Sequence, residues 1–242
     1  MDNKGVDEVK RIFLWSCPRN ISTALMYSFA QRSDTAVVDE PLYGHYLHQT
    51  SAKTYHPGAD EILNSMETDG RKVLQSMLER EDKPVIFYKN MTHHLEGLPL
   101  EFLDKGYNLL LTRDPKEMIT SFTKIIPNPS LKDTGYEDQV YLYRHCRRLG
   151  IPVKVVDTQE ILLNPEKRLR EICDFLKIPF EKAMLSWKPG SIPEDGVWAK
   201  YWYKNVHQSR GFQPYKAKKE EVPSGLSDLF AICERHYKEL TS

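Results

Sequence analysis

The sequence predicts an α/β fold, with helices layered around a central parallel sheet, and three observations carry that expectation. Short apolar runs recur along the chain, helical spacing follows most of them, and the first run leads straight into a turn suited to holding an anion.

Residues 12–15 (Ile12, Phe13, Leu14, Trp15), 36–38, 84–88, 108–111 and 153–156 are continuous rather than alternating runs, as expected of strands buried on both faces. Helical spacing follows the first run over 21–31, where Ile21, Ala24, Leu25 and Ser28 recur on one side. Further helices are predicted at 61–80, with a break near Gly70, and at 115–124, 136–149, 165–176 and 226–239. Asn164 before Pro165 reads as an N-cap followed by proline at the first helical position. Over 188–215 the pattern changes to Gly, Pro, Trp and Tyr interleaved with Lys, Arg and His. A loop of that length usually serves as a lid or binding loop. It is expected to cover the site within a single domain spanning 1–242.

Lys plus Arg total 34 and Asp plus Glu total 34 in 242 residues, so the net charge is zero and a nucleic-acid partner is not expected. With 40% hydrophobic and 28% charged residues the composition is that of a globular chain. Cys17, Cys146, Cys173 and Cys233 form no CxxC pair, which points to reduced thiols rather than a zinc or redox motif. There is no signal-type start and no apolar run of roughly 18 residues, so a cytoplasmic protein without a membrane partner is expected.

The turn after the first run reads Ser16, Cys17, Pro18, Arg19, Asn20, Ile21, Ser22, Thr23, and a helix follows. Strand, turn and helix start together present backbone N–H groups and a positive helix end to an anion. Arg19 adds a cation, and Ser22 and Thr23 add hydroxyls. The Walker A pattern GxxxxGK[ST] is absent, and the plain alternative is an Asn-capped surface helix. After the fourth run come Arg113, Asp114 and Pro115, with Ser121 about two turns into the next helix. A guanidinium beside a hydroxyl suits a second phosphate, since guanidinium binds phosphate oxygens as a fork. Otherwise Arg113 would pair with Asp114 or Asp157.

Together the two motifs resemble those of the sulfotransferase family, enzymes of P-loop-like, three-layer fold that use 3′-phosphoadenosine 5′-phosphosulfate. Pro18, Arg19, Asn20, Ile21, Ser22 and Thr23 look like the family's Pro-Lys/Arg-Ser-Gly-Thr-Thr loop. Arg113, Asp114 and Pro115 with Ser121 look like its Arg-Asn/Asp-Pro element and following serine. Val155 through Thr158, Ile161, Asn164, Pro165, Phe175 and Leu176 resemble its later strand, Asn-Pro and Phe-Leu pattern. The resemblance covers residues 11–176. It implies that Arg19, Asn20, Ser22 and Thr23 hold the 5′-phosphosulfate and that Arg113 and Ser121 hold the 3′-phosphate. It also implies sulfonate transfer to a hydroxyl or amine of a small molecule, leaving adenosine 3′,5′-bisphosphate, with no metal. Three departures stand out. Ile21 replaces a glycine, Ala24 replaces a tryptophan that stacks adenine, and Ser209, Arg210, Gly211 and Phe212 are the nearest match to the family's late phosphate loop, with Arg210 as its expected cation.

Transfer needs a base for the acceptor and cations for the leaving oxygen. Glu40, between Asp39 and Pro41, ends the second strand, where α/β sheets place ligands. His93 follows the third strand, two residues farther from Lys89 than in the family's Lys-Thr-His pattern. Either is a candidate base, and Lys89 is a candidate contact for the transferring sulfonate. His45 and His48 with His93 and His94 lack the thiolate or carboxylate spacing of a metal site, so none is expected. The aromatic and basic stretch 198–204 suits closure over a nucleotide or stacking on a base. Two rival readings stay open. One is a P-loop small-molecule kinase, with Asp157 as magnesium ligand but without the Walker lysine. The other is a non-catalytic nucleotide-binding scaffold, in keeping with Ile21 and Ala24. Acceptor loops are expected at 43–60 and 126–136, and the acceptor and oligomeric state stay open.

Overall fold

The computed structural model describes residues 9–217 and 219–242. Its strands are β1 Lys10–Ser16, β2 Thr35–Asp39, β3 Val85–Met91, β4 Tyr107–Thr112 and β5 Val153–Asp157. They form one parallel sheet in the order β2-β3-β1-β4-β5. β1 is central because it is apolar on both faces: Ile12 and Leu14 join one core, Phe13 and Trp15 the other.

The helices are α1 Ser22–Phe29, α2 Tyr43–Gln49, α3 Ala59–Ser65, α4 Gly70–Glu79, α5 Pro115–Phe122, α6 Leu131–Thr134, α7 Tyr136–Leu149, α8 Thr158–Leu163, α9 Pro165–Leu176, α10 Ala199–Trp202, α11 Lys204–His207 and α12 Ser227–Thr241. α1, α8 and α9 feed the core on one face of the sheet, while α4 and α7, with Leu240 of α12, feed the core on the other. α9 shows why the spacing was readable: Leu169, Ile172, Cys173 and Leu176 are buried at helical intervals behind the Asn164 cap and Pro165. The helical stretch over 61–80, expected to break near Gly70, is α3 and α4, with α4 starting at Gly70. Asp69 separates them by accepting the N–H groups of Arg71 and Lys72. Residues 43–60, expected as loop, contain α2 and the start of α3. Within 188–215 lie the short α10 and α11, and Gly211 forms an antiparallel bridge with Ser186.

From β1 the chain winds first toward β2 and β3, then crosses to β4 and β5. The carboxyl end of β1 is therefore where the winding reverses, the place where open α/β sheets bind ligands. Among the described residues no helix is long and apolar enough to cross a membrane. All four cysteines are free and buried.

Candidate active site

The loop leaving β1 is built around Asn20. Its carboxamide oxygen accepts from Ser16 Oγ at 2.8 Å and from the Ser22 N–H at 3.0 Å, and its nitrogen donates to the Leu111 carbonyl at 2.9 Å. These bonds tie the turn to the end of β4 and commit the Asn20 side chain to holding the loop. Ser22 and Thr23 then open α1, whose N-cap residue, Ile21, has no side-chain acceptor to offer.

Arg19 stands in the left-handed region at φ 57°. Its Nε donates to Ser121 Oγ at 3.3 Å, and its carbonyl accepts from Arg113 Nη1 at 2.6 Å. Burial, reinforced by the neighbouring Arg113, lowers the Arg19 pKa. Two guanidiniums held together beside a helix start form a strongly anion-attracting corner.

Arg113 pairs with neither aspartate expected for it. Its Nε and Nη2 donate to Glu117 Oε2 at 3.1 and 2.7 Å, one helical turn on. Asp114 instead caps α5. Asp157 caps α8 through the Gln159 N–H at 2.7 Å and accepts from Tyr237 at 2.8 Å, so its carboxylate serves the helix start rather than the anion corner. A groove of about 340 Å³ runs over this corner, lined among others by Arg19, Thr23, Arg113, Ser121, Phe212 and Lys216. Arg210 is exposed and lies outside that lining. Its backbone carbonyl accepts from the Trp187 N–H, and Lys216, just after the 188–215 segment, lines the groove instead.

A second cavity, of about 90 Å³, shares Arg19, Asn20, Thr23, Trp202 and Tyr203 with the groove and adds Glu40, His93 and their neighbours. Register pairs Asp39 with Lys89 on adjacent strands, and Glu40 follows with a left-handed φ of 41°. The wholly buried Lys89 ammonium donates to Asp39 at 2.9 Å, to Glu40 Oε1, and to the Tyr203 hydroxyl at 2.7 Å. Two carboxylates around one ammonium leave an excess negative charge away from water. Burial pushes Glu40 above the ordinary carboxylate range even though Lys89 pulls the other way. Burial alone would depress Lys89, but Asp39 and Glu40 hold it above its usual value. Lys89 is thereby committed to the two acids.

The histidines behave differently. Burial, with His56 nearby, takes His93 down to about 3, and burial takes His56 to about 4, so both imidazoles are neutral at pH 7. His94 stacks between Tyr43 and Tyr46 at centroid distances of 4.8 and 4.9 Å, and the Nδ1 atoms of His93 and His94 are buried without a partner among the described residues. His45 faces the Thr68 and Glu96 carbonyls and His48 is exposed. Among the described residues no three metal-binding side chains gather in a group. Sequence reasoning missed Asp39, Tyr43, Glu117 and Tyr203. The consecutive acids Asp39 and Glu40 at a strand end were the available signal for the first.

Comparison with known proteins places these features in context. A family profile described as a sulfotransferase domain matches residues 10–240. Two curated Arabidopsis thaliana proteins, branched-chain-amino-acid aminotransferase-like proteins 1 and 2, are 43% and 40% identical over 97% and 92% of the chain. The chain spans only 43% and 40% of their respective lengths. Solved structures with the same fold include the sulfotransferase domain of the Synechococcus PCC 7002 olefin synthase, with a TM-score of 0.54, 15% identity and coverage of 100% of this chain and 98% of that one. A sulfotransferase from Alicyclobacillus acidocaldarius has a TM-score of 0.53 at 12% identity, covering 96% of this chain and 95% of that one.

Proposed function

Because the chain belongs to the sulfotransferase-domain family, we propose that it transfers a sulfonate group from 3′-phosphoadenosine 5′-phosphosulfate to a hydroxyl or amine of a small molecule, with Glu40 as the base. One observation carries this reading: the β1 loop is the common wall of a cationic groove and a cavity floored by a carboxylate, so a donor and an acceptor would meet across Arg19 and Thr23.

The groove suits the donor's chemistry. Arg19, the Thr23 hydroxyl and, from the cavity side, the Ser22 hydroxyl at the start of α1 would hold the 5′ group, while Arg113 and Ser121 would hold the 3′-phosphate, with Glu117 giving up part of its hold on Arg113. Asn20 acts by keeping the loop in shape. The bound donor supplies an electrophilic sulfur whose bond to the phosphate oxygen breaks as the acceptor atom bonds to it. Glu40 takes the acceptor's proton. Its raised proton affinity favours that role over His93, whose pKa near 3 makes it a weak base at neutral pH. Neutral His93, His56 and Tyr43 then shape the acceptor wall. Residues 188–215 act as a lid, contributing Trp202 and Tyr203 to both spaces.

Calorimetric titration with adenosine 3′,5′-bisphosphate, and with ADP plus magnesium as control, tests the reading. Magnesium-independent binding of the bisphosphate is expected, weakened about tenfold to a hundredfold in Arg113→Ala by loss of a charge-assisted contact. Binding of ADP with magnesium instead would point to a kinase, and bisphosphate affinity unchanged in Arg113→Ala would overturn the proposed donor site.

A further inference from the structure

The charged cluster beneath the acceptor cavity has one member that the sheet does not supply. Asp39, Glu40 and Lys89 come from β2, its end and β3, whereas Tyr203 lies between α10 and α11 in the segment that covers the site. Its hydroxyl donates to Asp39, with both carboxylate oxygens at 2.8 Å, and accepts from Lys89 at 2.7 Å and from Trp198 Nε1 at 3.1 Å. It also lies 3.3 Å from Glu40 Oε1.

We propose that Tyr203 is a positioning residue through which the covering segment holds Glu40 in its proton-accepting geometry. The inference rests on the reading of Glu40 as base. The hydrogen-bond balance of the cluster requires such a group. An ammonium has three N–H donors, and here they are divided among Asp39, Glu40 and Tyr203. Without the phenol, one buried donor is orphaned and Asp39 loses a partner, so Lys89 is drawn toward Asp39 and away from Glu40. The same segment gives Asp39 a second donor, the Gly196 N–H at 3.2 Å. Trp198 packs edge-on against Tyr43, a wall of the acceptor cavity, at 5.3 Å. The segment is itself anchored where Asp195 accepts from Tyr27 at 2.7 Å and meets His207 Nε2 at 2.8 Å.

The groups facing Glu40 are Asp39, Lys89, Tyr203 and, from α2, Tyr43; Arg19, His56, His93 and His94 line the same cavity. The Tyr203 hydroxyl, 3.3 Å from Glu40 Oε1 and a partner of the Lys89 ammonium that holds it, favours the ionised carboxylate, so its removal raises the proton affinity of Glu40 further. Tyr203→Phe keeps the ring and removes the hydroxyl. The test is the pH profile of kcat/KM together with carbon-13 NMR titration of the Glu40 carboxyl, assigned by its absence in Glu40→Gln. Both the acidic limb and the Glu40 midpoint are expected to move upward together by at least about half a pH unit, roughly a threefold loss of rate below the limb. Bisphosphate affinity stays within about twofold, as the ring that Tyr203 contributes to the groove is kept and both arginines are untouched. Tyr237→Phe, which loses a tyrosine–carboxylate bond of 2.8 Å at the other edge of the sheet, serves as the control and leaves both midpoints in place. If Tyr203→Phe shifts neither midpoint and only lowers stability as the control does, the proposal is overturned. Should that variant fail to fold, Trp198→Phe removes one donor to the same hydroxyl, and a smaller shift of the same sign is expected; no shift overturns the proposal. If the unaltered protein binds no bisphosphate, the donor reading fails, while the NMR titration still decides whether Tyr203 governs Glu40.

Discussion

The two halves of the site handle charge in opposite ways. The groove over β1 and β4 crowds Arg19 and Arg113 at a helix start, next to Ser121 and within reach of solvent. Beneath the cavity over β2 and β3 an ammonium is buried between two carboxylates, and imidazoles kept neutral line the cavity itself. The first arrangement attracts an anion from water. The second keeps water away from one carboxylate whose proton affinity has been raised. The turn of residues 17–21 between β1 and α1 divides them, so on the proposed reading binding and proton transfer would be separable by mutation.

The sharpest way to break that division is Glu40→Gln. Turnover is expected to fall about 10²–10⁴-fold, the usual contribution of a positioned base, while calorimetry finds bisphosphate affinity unchanged. A parallel loss of affinity would show that the two spaces are one. Lys89→Met should damage the fold rather than the groove. It leaves two buried acids without their cation, and a loss of about 3–5 kcal/mol is expected in urea unfolding at pH 7; a change below about 1 kcal/mol would mean the cluster is already protonated or wet. The smallest effect concerns pH. His93 and His56 bind protons near 6.5 when unfolded but only near 3 and 4 when folded. The unfolded chain therefore holds more protons across that window. Their contribution to stability is present above pH 6.5 and drains as pH falls toward 3, by at most about 1.4 kcal/mol per unit for each imidazole. His93→Gln should flatten the slope of unfolding free energy between pH 6.5 and 5, and an unaltered slope would place the acid sensitivity elsewhere.

The groove was far more legible in the sequence than the cavity. Continuous apolar runs announced the five strands, and the motifs around Arg19 and Arg113 are local, each contained within a strand end and the helix after it. Capping signals such as Asn164-Pro165 are local too, which is why the bounds of α7 and α9 agree with expectation. The cavity depends on register and on distant segments. Nothing in the spacing of Asp39 and Lys89 says that they sit opposite one another, and Lys89, read as a strand-end cation for the sulfonate, is consumed by that pairing. Tyr203 is separated from Lys89 by 114 positions. In an aromatic and basic stretch its ring suggested stacking, whereas its hydroxyl makes the contact that matters. Arg210 shows the opposite case: a basic residue near a glycine matched a motif, while its side chain is exposed and lies outside the lining of the groove.

Arg19 and Glu40, which both line the smaller cavity, are also two of the three non-glycine residues with left-handed backbone among those described. Such a conformation costs a side-chain-bearing residue about 1–2 kcal/mol, and glycine would remove the strain at the expense of roughly 0.5–1 kcal/mol of chain entropy. Relief of backbone strain alone would thus favour glycine or asparagine at both positions, at the loss of the proposed cation and the proposed base on either side of the turn. Homologues that have drifted to those residues at both sites would be expected to be sturdier and inert, which makes this pair of backbone angles a marker for telling working members of the lineage from retired ones.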